Sequence, residues 1–284
     1  MTVNRLVLIL VCAMWAGGLC AQGRSLLDAT GVFGDLGVTH ISYTEELAAP
    51  LKSTETGTLP TLRLGLTNHD PDARVYYRGW LTIADGGTQY RGTDQSGTVT
   101  MTGTTQNLRA SGELNLGVQV HRVTFYTGVG YQYWDRQLGG SAGYSEQYAW
   151  LYLPVGVRTR YQTPRLLGVV DLSVRPMLHG DISIDTATMF QYAPLDTTNV
   201  TLGNRVGVRL EAPVHFTATP RLTVNLDPWY QYSGIGVSAK KPVTANGTPV
   251  VFNDGAGHNF TESIWEPASH THEVGVVLGV TYAE

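Results

Sequence analysis

The chain has 284 residues, 42% hydrophobic and only 15% charged, with a net charge of −4, against about 25% charged residues in a typical globular domain. That balance excludes a basic nucleic-acid binder, and abundant aromatics with a small net charge exclude a disordered chain. No apolar run of about 18 residues follows the N-terminus, which excludes a helical membrane protein.

Residues 1–21 read as a secretory signal peptide. Arg5 supplies the positive start, Leu6 to Leu19 the short apolar stretch, and Leu19-Cys20-Ala21 before Gln22 the cleavage site. A lipoprotein signal at Cys20 is the alternative, although Leu19 stands where a small residue is usual. Cys12 and Cys20 are the only cysteines, so a mature chain of 22–284 would carry no disulfide, thiolate metal site or cysteine nucleophile.

Period-2 alternation then recurs in ten segments, near 33–43, 59–68, 74–83, 107–119, 123–134, 147–161, 166–178, 200–211, 221–233 and 271–283. Segment 147–161 sets Ala149, Leu151, Leu153, Val155 and Val157 against Tyr148, Trp150, Tyr152, Arg158 and Arg160. Most segments exceed the ~5–6 residues of soluble strands and match the ~9–11 that cross a bilayer. Tight turns are expected at His69–Ala73, Val120–Arg122, Gln162–Arg165 and Pro213–Pro220. Longer polar connections lie between them at 44–58, 84–106, 135–146, 179–199 and 234–270. Short turns on one side and long loops on the other predict an all-β fold, a transmembrane antiparallel up-and-down β-barrel of about ten strands. Eight or twelve strands are the alternatives, and a hairpin of Gln89–Arg91 with Thr98–Met101 would rise above the membrane.

Strand phase predicts a lumen lined by Arg63, Arg74, Arg78, Arg109, Arg158, Arg160, Arg175, Arg205 and Arg209, facing Asp35, Glu113, Asp171, Glu211, Asp227 and Glu273. An Arg facing lipid near the midplane costs about 2–4 kcal/mol. The guanidinium fork also bridges acids better than lysine, which fits a chain with 16 Arg and only three Lys (Lys52, Lys240, Lys241). The pairs read as a non-conducting plug, or, from the excess of three arginines, as a narrow, slightly anion-preferring channel or ligand pocket. Trp80, Tyr131, Tyr133, Trp134, Tyr148, Trp150, Tyr152, Trp229, Tyr230 and Tyr232 are expected to form an aromatic girdle at the outer rim.

Chemistry-bearing motifs are sparse. Omptin-type proteases use an Asp-x-His pair, which this chain lacks. Lipid A deacylases use His-x-Ser, which His40-Ile41-Ser42 matches literally and which also reads as two polar residues near the interface. His270 and His272 share a strand face as a candidate transition-metal pair, beside the blander reading of a solvated loop with His258, Glu262 and Glu266. No cofactor is expected.

Gly128-Val-Gly-Tyr-Gln-Tyr133 with Tyr148-Ala-Trp-Leu-Tyr-Leu-Pro-Val-Gly-Val157, and the C-terminal Val274–Tyr282, resemble the small outer-membrane β-barrel proteins of Gram-negative bacteria, including opacity-like surface proteins. In that resemblance the last strand is the signal read by the barrel assembly machinery, with Ala283 and Glu284 following the usual terminal aromatic. It implies the outer membrane as location and its lipids as partners. The expected function is a non-enzymatic surface protein whose loops contact an extracellular ligand. A narrow pore is the alternative, and a lipid-modifying enzyme a third reading.

Overall fold

The computed structural model describes residues 30–47, 52–68, 74–93, 100–139, 143–191, 194–253 and 257–283. The expected signal peptide and the turn at 69–73 lie outside the described residues.

Ten antiparallel strands form a closed barrel. They are β1 (Thr30–Glu46), β2 (Lys52–Asn68), β3 (Val75–Thr93), β4 (Thr100–Val120), β5 (Val123–Leu138), β6 (Ser145–Tyr152 and Val155–Gln162), β7 (Leu166–Ile184), β8 (Thr198–Thr201, Val206–Glu211 and Val214–Thr219), β9 (Leu222–Ile235) and β10 (Ala268–Ala283). Neighbours in sequence are neighbours in space, and β10 returns to β1 over an unbroken register from Gly31↔Ala283 to Glu46↔Ala268. Closure leaves no open edge, which a strand fold in lipid requires because nothing there satisfies an unpaired backbone group. β6 breaks at Leu153-Pro154, since proline cannot donate to the ladder. Alternation continues across the break, with Tyr152 inward and Val155 outward.

The outward face carries the apolar residues. Val32, Leu36, Leu116, Phe125, Val170 and Leu278 are all exposed, Leu36 by 67%, and a belt of such residues on every strand is stable only against hydrocarbon. Above the belt the outward positions turn polar: His40, Ser42, Thr44 and Glu46 on β1, and Thr54, Thr56 and Thr58 on β2. The strands therefore outrun the bilayer at one end. The other end has short turns such as His121-Arg122, where His121 takes φ 57°, and in barrels of this type the short-turn end faces the periplasm.

Three connections differ from expectation. The regions 44–58 and 84–106 are mostly strand, and Gln89, Tyr90 and Arg91 pair with Thr104, Gly103 and Thr102, a few residues beyond the anticipated partners. β8 runs on to Thr219, so the turn is Pro220-Arg221 and Ala212-Pro213 is only an interruption. Outside the barrel mouth, α1 (Thr186–Met189) and three short pairings within 241–264 build a folded cap. Its Leu195, Val243 and Ile264 pack onto Tyr43, Trp134, Tyr148 and Ile182 of the barrel.

Candidate functional site in the barrel lumen

Inward positions carry a continuous polar network. Arg63 donates from Nε to Asp35 (2.8 Å) and bridges to Asp227. Arg78 pairs with Glu211 at 2.7 Å, and Glu211 accepts a second bond from Arg209 at 2.5 Å. Gln231 Oε1 accepts from Arg209 (3.1 Å) and Arg175 (2.6 Å), and Arg175 reaches Glu113 at 2.7 Å, where the Tyr152 hydroxyl also donates. Arg109 binds Glu273 at 2.6 Å. These groups are buried, and a cavity of about 40 Å³ lies between Arg63, Arg109, Arg175 and Arg209.

Arg158 and Arg160 line the barrel nearer its short-turn end, and Asp171 accepts from the Tyr126 hydroxyl at 2.5 Å. Arg74 and Arg205 are exposed and do not join the network.

The aromatic expectation is corrected in part. Tyr131, Tyr133, Tyr230 and Tyr232 face outward, but Trp80, Trp134, Tyr148, Trp150, Tyr152 and Trp229 are buried inside. The reason is the two-residue period itself: Trp80 shares its face with Arg78, and Tyr152 shares its face with Arg158. Those inward rings are the surfaces on which arginines lie. Arg209 stacks 4.1 Å from the Trp229 centroid, Arg109 4.5 Å from Trp134, and Arg78 4.6 Å from Trp80. A planar guanidinium can stack and fork at once, which an ammonium cannot, and this is the local reason for arginine over lysine.

Above the apolar belt lies a cluster that alternation counting missed. Arg136, fully buried, pairs with Glu55 (2.7 Å) and Glu146 (2.5 Å), with Glu45 at 3.6 Å. Glu266, carried in by the cap, lies within 3.3 Å of the Tyr43 hydroxyl and 3.2 Å of the Tyr148 hydroxyl. Trp134 Nε1 donates to Asn107 (2.7 Å), which donates to Glu55 (2.8 Å).

Four carboxylates around one guanidinium cannot all be ionised cheaply. Burial, then Glu45 and Glu146, push the Glu266 carboxyl well above its ordinary range, and burial raises Glu45 as well. Burial also opposes the Glu55 charge, but Arg136 and the bonds from Thr88 and Asn107 outweigh it and hold that group low. With these residues included, the described chain buries nine carboxylates and six arginines, so the expected arginine excess does not hold.

The outer-wall motifs separate. His40 Nδ1 meets Thr58 at 3.1 Å, and Ser42 sits across from His272, whose Nδ1 meets the Tyr230 hydroxyl at 2.8 Å. His270 and His272 stack among Tyr230 and Tyr232 as an aromatic patch, and the described residues hold no group of three or more metal-ligating side chains. His179 pairs with Asp181 at 2.8 Å, both exposed.

Belt, closure and filled lumen together define a ten-stranded transmembrane barrel of the outer-membrane type. No family model and no curated protein matches the chain. Among solved structures it is similar to the outer membrane protease OmpT of Escherichia coli, with a TM-score of 0.59 at 9% identity over 91% of this chain and 97% of that one. It is also similar to the outer membrane protein OprG of Pseudomonas aeruginosa (0.41, 11%, 90% and 96%) and to Neisserial surface protein A (0.36, 9%, 90% and 97%). At such identities the likeness is one of fold.

Proposed function

We propose that the protein is a non-enzymatic surface protein of the outer membrane, in which the barrel is an anchor and the folded outer cap makes the contacts. The observation that carries this reading is the double obstruction of the lumen. Arginine–carboxylate pairs cross it from Asp35 to Glu113, and the cap closes the outer mouth over Arg136. Ten strands enclose an interior close to the size that side chains alone can fill. On the cap, Val237, Val251 and Phe260 are exposed apolar residues, the kind of surface a protein partner covers.

An outer membrane protease among the structural neighbours raises an enzymatic alternative. The acidic cluster here lies beneath the cap, with Glu55 and Glu266 buried, where a polymeric substrate has no access.

Planar-bilayer recording of the purified, folded protein tests the proposal. A silent membrane is expected. Discrete conductance steps, reduced by Arg175→Gln, would replace it with the narrow-pore reading.

A further inference from the structure

Two guanidinium nitrogens in the lumen have no hydrogen-bond acceptor among the described residues. Arg63 spends Nε on Asp35 and Nη2 on Asp227, and Arg109 spends Nη2 on Glu273. Nη1 of each is buried and unpartnered. Arg63 is 2% exposed and Arg109 5%, so neither atom turns to bulk water. A buried donor on a charged group is among the costliest to leave unmet. Both arginines line the cavity of about 40 Å³ between the charge pairs.

The lining sets the sign of what fits there. It contains four arginines, Arg63, Arg109, Arg175 and Arg209, and one acid, Glu273. The carboxylates that hold three of them, Asp35, Glu113 and Glu211, are not part of the lining. The network thus reaches its charge balance at a distance, and the hollow itself is cationic. One acceptor in the lining, Gln231 Oε1, already takes bonds from Arg175 and Arg209. Size sets the second limit: one water needs about 10–15 Å³, so the hollow admits a few water-sized bodies and no organic ligand. We propose that this cavity binds one small monovalent anion, a halide such as chloride, through the Nη1 groups of Arg63 and Arg109. A water molecule meets the same donors but leaves the local excess of positive charge uncompensated, in an interior where that excess is weakly screened. The ion ties β2 to β4 across the intervening β3, and makes the stability of the barrel depend on halide.

A buried site loads as the barrel closes, so the test begins with protein refolded in sodium bromide, crystallised, and measured at the bromine absorption edge. An anomalous peak within hydrogen-bond reach of both Nη1 atoms is expected, and solvent density alone in the cavity overturns the proposal. Urea unfolding gives the solution readout. The midpoint is expected to rise saturably with chloride or bromide. It should stay level in sodium gluconate at matched ionic strength, whose anion is larger than the cavity. Ala84 lines the cavity and is buried, so Ala84→Val narrows the space and removes no charge. That variant is expected to keep heat-modifiable gel migration and to lose both the peak and the halide response. An equal rise in gluconate, or a halide response undiminished in Ala84→Val, overturns the proposal. So does a crystal peak with no midpoint response, which marks an adventitious ion only. Should the variant fail to assemble, the peak and the gluconate comparison in the parent protein decide.

Discussion

Arg136 shows what one side chain holds in this fold. Its guanidinium is fully buried, joins Glu55 and Glu146 directly, and lies 4.5 Å from the Tyr43 ring centroid. Removing a buried partner strands the opposite charges, so Arg136→Gln is expected to destabilise the folded barrel by about 3–5 kcal/mol. Arg136→Lys should fall between variant and parent, because it keeps the charge and loses the fork. Urea unfolding of the detergent-refolded proteins measures both.

Glu266 gives a pH signature with a definite sign. Its pKa is raised above the ordinary 4.5 in the folded cap, so its contribution to closure is complete below that value and is lost as pH rises through the raised one. Glu55, held low, acts oppositely: its contribution is present above 4.5 and disappears as pH falls through its lowered value. Proteolysis within 236–267 should therefore quicken as pH rises from about 5 to about 9, while Glu266→Gln should flatten that rise. A parent whose cleavage rate, corrected for the protease's own profile, is level across the range would contradict the assignment.

At the scale of the element, each strand is an alternating wall, and two glycines show how tightly it packs inward. Gly275 lies opposite Trp229 and Gly130 opposite Tyr152. A Cβ at Gly275 would come within 2.4 Å of the Trp229 ring, and one at Gly130 within 2.1 Å of the Tyr152 ring. The large residue covers the small one, so Gly275→Val is expected to displace Trp229 from beneath Arg209 and cost about 1–3 kcal/mol. Quenched or shifted tryptophan emission together with a lower urea midpoint would report it.

Alternation also explains what could be read in advance. Within the membrane the outward residues are apolar and the inward ones polar, so ten segments and an inward set that includes Arg63, Arg109, Arg175, Asp35, Glu113 and Glu273 lie open to inspection, while which arginine meets which acid does not. Above the belt both faces are polar, as in Thr54-Glu55-Thr56. The strand continues there while its pattern vanishes, and so Glu45, Glu55, Arg136 and Glu146 pass for loop. The inward place of Trp80 and Trp134 was legible from phase, but aromatics near a rim suggest lipid more strongly than they suggest a stacked guanidinium.

For the whole molecule, a barrel anchor predicts that conductance stays absent even when the cap is gone. Deleting 241–264 should leave the Asp35-to-Glu113 network intact and the bilayer silent, whereas a cap that alone plugged a pore would give open-channel current on deletion. The same variant should keep heat-modifiable migration, since every strand-to-strand ladder of the barrel lies outside the deleted segment.

The seam between β1 and β10 carries a consequence for how the molecule comes into being. Gly31 pairs with Ala283 and Glu46 with Ala268, so the first strand has its final neighbour only when almost the entire chain has been delivered. Contacts this distant in sequence are slow to form, and until they do the sheet has two unpaired margins ready to recruit other chains. Biogenesis is thus all-or-nothing at the C-terminus. A chain truncated before Ala268 is not a smaller barrel but an unclosed sheet, and its expected fate is aggregation or degradation rather than insertion.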